Sequence, residues 1–342
     1  MRGKRERDRR AEWAGDRSRD AMGAAMTARP DVVVLGAGVS GLSTGIRLAE
    51  SGARVLVRTA APPARTTSAL ASALVGPNLS PPGDPQRAWT DETLRVLGAE
   101  PMPGVTWRDG TLAARPEGAT PPYAEQTPGF RQLDDDERPA GFGTAFTVRL
   151  PLVDMPVYLA YLLERLRAAG AEAGQEPVGS LDEAATLAPV VVNCAGLAAR
   201  TLTGDTGLYP VRGPRIVVRN PGLERFFMEA PMAPAWASIF PHGDHVVLGG
   251  GQRRSDDTTP DSAEEADVLA RCVAIEPALA AAEVLEHTVG LRPGRVAPRV
   301  AAEPRGDALV VHNYGHAGNG VMLSWGCARA AAALALDAAP TA

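Results

Sequence analysis

Residues 31–50 read DVVVLGAGVSGLSTGIRLAE, and this stretch decides the fold. Val32-Val33-Val34-Leu35 is an unbroken apolar run of the kind that forms a strand buried on both faces. The turn Gly36-Ala37-Gly38-Val39-Ser40-Gly41 follows, and then Leu42, Ile46 and Leu48 recur at roughly helical spacing. Gly36 allows the sharp exit from the strand. Gly38 lets backbone N–H groups approach a pyrophosphate, and Gly41 lets the helix lie close on the sheet. The helix start then offers unpaired N–H groups and the positive end of a dipole to phosphates. A bare GxGxxG also occurs in ordinary glycine-rich turns. Here a strand precedes it, a helix follows, and a second strand, Arg54-Val55-Leu56-Val57, comes at the right distance. The stretch is therefore read as a dinucleotide site at the first turn of a βαβ unit.

Outward from this turn, the 342-residue chain has room for two intimate domains, or one domain with an inserted lobe. Its formal net charge of −5 gives no reason to expect nucleic acid or an anionic membrane as a partner. No apolar run reaches transmembrane length. Cys194, Cys272 and Cys327 lack metal-ligand or CxxC spacing, so inert thiols in a cytoplasmic protein are expected. Lys4 is the only lysine, which excludes a pyridoxal Schiff base or a Walker loop in the folded domain.

Residues 1–29 are charged, with acidic residues interleaved among the arginines, and have no apolar signal core. A disordered tail is expected there, or a segment upstream of a start at Met22 or Met26. Beyond the second strand, Arg58 stands where many dinucleotide folds place a ribose-binding acid. It is read either as an adenosine contact or as a solvated strand end. Thr66-Thr67-Ser68 reads as a capping run opening an apolar helix, its hydroxyls also available to cofactor phosphates. Residues 80–143, rich in Pro, Gly and acids, read as strands and loops of a second lobe. Val190-Val191-Val192-Asn193 reads as another buried strand, with Ala195 and Gly196 beyond its carboxyl end. His242 and His245 form an HxxH pair, read as a polar hairpin turn in preference to a metal site because no further ligands lie nearby. No metal is expected.

Five segments taken together resemble the D-amino-acid oxidase family of FAD flavoproteins, which includes D-aspartate oxidase. They are GAGVSGLSTGIRLAESGARVLV (36–57), FTVRLPLVDMPVYL (146–159), VVNCAGLAAR (191–200), GLRPGRVAPRV (290–300) and VVHNYGHAGNGVMLSWGCA (310–328). The resemblance implies an α/β protein: a Rossmann-like FAD-binding domain with an inserted, mostly antiparallel β substrate domain. The expected segments are 30–80, 150–205 and 290–338 for the FAD domain, and 81–149 and 206–289 for the substrate domain. Non-covalent FAD is implied, contacted by Gly36 to Gly41, Arg58, Thr66, Thr67, Ser68, Val178, Ala195 and Gly196. The loop Ala317-Gly318-Asn319-Gly320, with Val321 and Met322, is implied at the flavin. A helix N-terminus there would stabilise negative charge on the reduced ring. Arg292 is implied as the clamp of a substrate carboxylate, beside the cofactor; the alternative is an ordinary ion pair.

The substrate positions depart from the family pattern. Ser238 falls where relatives usually place a tyrosine near the carboxylate, Gln252 where some have a second, and Val75 where an aromatic often sits by the flavin. Trp236 and Asn319 are the remaining expected substrate contacts. The leading expectation is an FAD-dependent oxidase of an amino acid or amine. Hydride passes from the α-carbon to flavin N5, giving an imine and, with molecular oxygen as acceptor, hydrogen peroxide. One alternative is a tailoring oxidase or dehydrogenase acting on a bulkier or non-D-amino-acid substrate. A flavin-binding protein without turnover is another. A homodimer is among the expected assemblies.

Overall fold

The computed structural model describes residues 29–77, 81–115, 120, 122–230 and 235–337. The expected tail, apart from Arg29, lies outside the described residues. The first third of the chain forms β1 (Val32–Leu35), α1 (Val39–Glu50), β2 (Val55–Arg58), α2 (Pro85–Ala99) and β3 (Val105–Ala114). Next come β4 (Arg131–Gln132), β5 (Thr144–Val153), α3 (Met155–Ala168), β6 (Glu172–Gly174), α4 (Leu181–Leu187), β7 (Val190–Asn193) and α5 (Ala199–Thr203). The last part contains β8 (Tyr209–Arg219), β9 (Phe226–Glu229), β10 (Ala235–His242), β11 (His245–Gly251), β12 (Arg253–Arg254) and α6 (Ser262–Ile275). It ends with β13 (Val284–Gly294), β14 (Arg299–Arg305), β15 (Ala308–Tyr314) and α7 (Ser324–Leu336).

The valine runs build a six-stranded sheet in the order β14-β15-β7-β1-β2-β6, parallel except for β14. Alternate residues of β1 face opposite layers. Val32 and Val34 pack with Leu42 and Ile46 of α1, Leu159 of α3 and Trp325 of α7. Val33 and Leu35 pack with Leu181 and Ala184 of α4. Both faces are thus covered, and burying each such side chain stabilises the fold by about 1.5–3 kcal/mol.

The second sheet has nine strands and is antiparallel except for the β3–β9 pair. Its long strand β8 pairs with β13 along one edge and with β11 and β12 along the other. One face packs on α6 through Ile216, Ile239, Leu248, Val268 and Cys272. The opposite face carries a registered row across the sheet: Leu112, Met228, Ser238, Gly249, Arg215 and Thr288. The His242–His245 stretch is the β10–β11 hairpin turn, with Gly243 at φ +66, and no metal-binding group of three or more His, Cys, Asp or Glu exists among the described residues.

Two sequence readings are corrected. Residues 80–143 are not only strands and loops. They contain α2, which starts where Asp84 accepts the Gln86 N–H and Pro85 fits the first helical turn. That helix packs on α7, where a Cβ on Gly326 would lie 2.2 Å from Trp89 Cα. Nor do Thr66, Thr67 and Ser68 open an α-helix. They lie in and between two short 3₁₀ turns, 63–65 and 67–70, followed by extended chain.

Candidate functional site

A cavity of about 1010 Å³ lies between the two sheets. One end is the β1–α1 turn. Gly36 has φ +105 there, and a Cβ on it would sit 2.6 Å from Cys194 O, so the turn requires glycine. Gly38, at the α1 N-cap, has no side chain with which to cap the helix, and the Val39 N–H donates to Ser68 Oγ at 3.0 Å. The start of α1 therefore faces the cavity through backbone, as a phosphate site requires. Thr66, by contrast, donates to Pro63 O at 2.7 Å. Arg58 lines the same end and pairs with Glu176 at 2.5 Å.

At the other end, β13 presents Arg292. A Cβ on Gly213 would meet Arg292 Nη1 at 2.1 Å, so the absence of a side chain on β8 lets the guanidinium lie over that strand. Arg292 Nη1 donates to Gly251 O at 3.3 Å, and burial pulls its pKa below the usual guanidinium value. No carboxylate among the described residues is within salt-bridge distance of it, so the ordinary ion pair weighed from sequence is not formed. Gly318 lies beneath its stem, a Cβ there falling 3.7 Å from Arg292 Cδ. Ala73 and Ala317 are the two non-glycine residues with positive φ among the described residues, at +42 and +50, and both line the cavity. Each left-handed conformation costs on the order of 1–3 kcal/mol, a strain that clusters at functional sites.

Every residue expected to contact cofactor or substrate lines this cavity, with one exception. The exception is Gly41, because it serves packing: a Cβ on it would lie 1.9 Å from Gly36 O, so it sets how closely helix meets turn. Ser238 and Trp236 are buried on β10, whereas Gln252 is exposed at the rim. Val75 is buried, donates its N–H to Pro151 O at 3.0 Å, and does not line the cavity. Sequence reasoning missed Arg215, Ser72, Leu74 and His316. Arg215 stands one register step from Gly249, which is itself opposite Ser238. Among the described residues four arginines line the cavity (Arg58, Arg65, Arg215, Arg292) and no carboxylate does. The cavity is therefore built for anions.

A buried polar chain underlies the floor. His316 Nε2 bonds Asn313 Oδ1 at 3.0 Å, Asn313 Nδ2 donates to Thr44 Oγ1 at 3.0 Å, and Thr44 donates to Ser40 O at 2.6 Å. It ties the β15 end to the first helix. Burial lowers the His316 pKa to about 4, so its ring is neutral at pH 7. The folded state then resists a proton that the unfolded chain takes up near pH 6.5. Stability is complete above that value and falls as pH drops toward 4, by about 2 kcal/mol at pH 5 from this residue. Chemical denaturation of wild type and His316→Gln should show the wild type losing more stability between about pH 7 and 5. Parallel pH profiles would rule this out.

The residues present fit FAD. A turn that requires glycine at Gly36 opens onto a helix start, four arginines line the cavity, and one of them, Arg292, has no carboxylate partner among the described residues. Comparison with known proteins agrees. The FAD-dependent oxidoreductase family model, DAO, matches residues 31–334. The chain is 44% identical over 309 residues to a D-amino-acid oxidase of Rubrobacter xylanophilus, covering 89% of this chain and 95% of the relative. It is 41% identical to a D-amino-acid oxidase of Streptomyces coelicolor, over 89% of this chain and 96% of that one. It is 32% identical to human D-aspartate oxidase, over 89% and 94%. Among solved structures, glycine oxidase from Geobacillus kaustophilus has the same fold, with TM-score 0.75 at 21% identity over 91% of this chain and 95% of that one. With the motif-bearing turn, the arginine-lined cavity and the family match spanning nearly every described residue, the chain belongs to the DAO family of FAD-dependent oxidoreductases.

Proposed function

We propose that this protein is an FAD-dependent amino-acid oxidase in which Arg292 holds the substrate carboxylate. The observation that carries the reading is a partly buried guanidinium that lines the same cavity as the dinucleotide turn and has no carboxylate partner among the described residues. A buried cation without a counterion favours an anionic ligand, and the planar fork binds a carboxylate through two bonds. Bound in this cavity, FAD supplies the two-electron acceptor for the substrate C–H bond, with molecular oxygen as the final acceptor. The protein's part is to orient the substrate and exclude water. Gly36 to Ser40 would hold the pyrophosphate of FAD, and Ala317 to Met322 would lie against its ring system.

The proposed domain plan is an FAD-binding domain of residues 30–80, 150–205 and 290–338, into which a substrate domain of residues 81–149 and 206–289 is inserted. A cytoplasmic location is consistent with three buried free cysteines, two of whose thiols, Cys194 and Cys272, are pushed by burial up to about 12. No described helix is long and apolar enough to cross a membrane. A homodimer is proposed as the solution assembly.

Two measurements test the reading. Acid precipitation of the purified protein should release FAD into the supernatant; flavin retained in the pellet, or FMN in its place, would refute non-covalent FAD. Anaerobic mixing with a panel of D- and L-amino acids and amines should bleach the flavin with D-amino acids. Bleaching by amines alone would favour the bulkier-substrate reading, for which the serine at position 238 is the motive.

A further inference from the structure

The strand that carries Trp236 is irregular. Ala235 pairs with Gly251 and Ser238 with Gly249, so three steps along β10 match two along β11. Trp236 and Ala237 therefore face the single residue Gly250, which makes a β-bulge. Gly250 has φ +143, and a Cβ on it would lie 1.7 Å from Trp236 O, so only glycine fits opposite the bulge. Two charged side chains hold the backbone there. Arg271 of α6 donates from Nε to Trp236 O at 3.1 Å and from Nη2 to Gly250 O at 2.8 Å. Its Nη1 pairs with Asp267, one helical turn earlier, which orients the fork. Glu229 of β9, itself buried, accepts the Ala237 N–H at 3.2 Å and is held by Arg115 Nε at 2.7 Å. Arg271 does not line the cavity, because α6 packs on the other face of the sheet. The bulge does reach the cavity, through the buried Trp236 side chain. The residue after Gly250 is Gly251, whose carbonyl accepts from Arg292 Nη1.

We infer that Arg271 is a positioning residue for the substrate: from behind the sheet it holds the β10 bulge in the shape that fixes Trp236 as a wall of the site beside Arg292. The inference rests on Arg292 taking the substrate carboxylate, as proposed above. One planar fork binds both carbonyls, so their separation and tilt are set together. A bulge re-aims the side chains next to it, and its extra residue has no fixed place in the ladder without such partners. With the fork removed, two buried carbonyls lose their donors and the extra residue relaxes. A shift of about 1 Å in the wall then changes how a ligand anchored at Arg292 fits.

The test uses the FAD-loaded protein and reads valerate binding through the flavin absorption spectrum, without turnover. Arg271→Met should weaken valerate about tenfold with flavin content unchanged. Arg271→Lys, which reaches one carbonyl but lacks the fork, should weaken it about threefold. In a Trp236→Ala background either loss should shrink to less than about twofold, because the part being positioned is gone. Should the Met variant not fold, the Lys variant in the two backgrounds decides alone. Variants that lose stability in denaturation yet bind valerate as wild type does would overturn the inference, since the fork would then serve the fold alone. A loss that persists undiminished in Trp236→Ala would overturn it as well. Arg292→Leu separates this inference from the reading beneath it. If valerate binding survives that change while the order wild type, Lys, Met holds at position 271, the carboxylate reading fails and the positioning role stands. If binding is lost in Arg292→Leu but normal in both Arg271 variants, the positioning role fails and the carboxylate reading stands.

Discussion

Arg292→Leu is expected to leave FAD bound and the fold intact while crippling reaction with any substrate held by its carboxylate. The guanidinium lies over Gly213, makes one bond of 3.3 Å to Gly251 O, and has no acidic partner among the described residues, so the protein loses little when it goes. The substrate loses its counter-charge. Removing one partner of a desolvated charge pair costs about 2–5 kcal/mol, or roughly tens- to thousands-fold in reduction rate at low substrate concentration. Arg292→Lys should recover only part, because a point charge cannot reproduce two parallel bonds and the gap over Gly213 fits a planar group. Anaerobic flavin reduction against substrate concentration in the three proteins decides. A leucine variant with unchanged half-saturation and rate would mean that the substrate is not anchored here.

Gly38→Val is the second large effect, expected on the cofactor. An added Cβ would be 3.0 Å from Ser68 Oγ, tight but opposite a small side chain, so the apoprotein should fold. The two further methyl groups then occupy the space where backbone meets pyrophosphate, and FAD should be lost. Gly41→Ala supplies the contrast. Its Cβ would fall 1.9 Å from Gly36 O, a main-chain atom that has nowhere to go, so stability should drop by about 3 kcal/mol. Flavin content by absorbance and stability by denaturation separate the two. A Gly38→Val protein with stoichiometric FAD would show that the pyrophosphate does not approach at this residue.

The glycine turn was legible in the sequence because its spacing between an apolar run and a helical pattern is local, although Gly36 and Gly38 also meet distant neighbours, Cys194 and Ser68. Gly36, Gly38 and Gly41 fall within six residues, and the alternation of β1 between two cores follows from an unbroken apolar run. Arg215 was hidden for the opposite reason. In Arg215-Ile216-Val217-Val218 it reads as the polar start of a strand, and only the pairing with Gly249 and Ser238 reveals that its face is the cavity. The Thr66–Ser68 hydroxyls looked like caps for a helix of their own. Instead Ser68 accepts from Val39, 29 residues earlier, a bond no local pattern announces. The helix α2 did carry a start signal, Asp84 followed by Pro85, but the surrounding prolines and glycines masked it.

The strand order of the parallel sheet also governs how this chain is made. β1 emerges early in synthesis, yet one of its neighbours is β7, whose Val190 pairs with Val32. β7 in turn waits for β15, whose Leu309 also pairs with Val190. Until the residues of β15 and α7 have left the ribosome, β7 has an unpaired edge and the apolar face that packs on Trp325 is uncovered. Such distant pairings make folding slow, because loop-closure entropy is lost before contacts repay it. A nascent chain stalled before β15 is therefore the aggregation-prone species. Heterologous yield should be limited by the handling of that intermediate, even where the finished protein is stable.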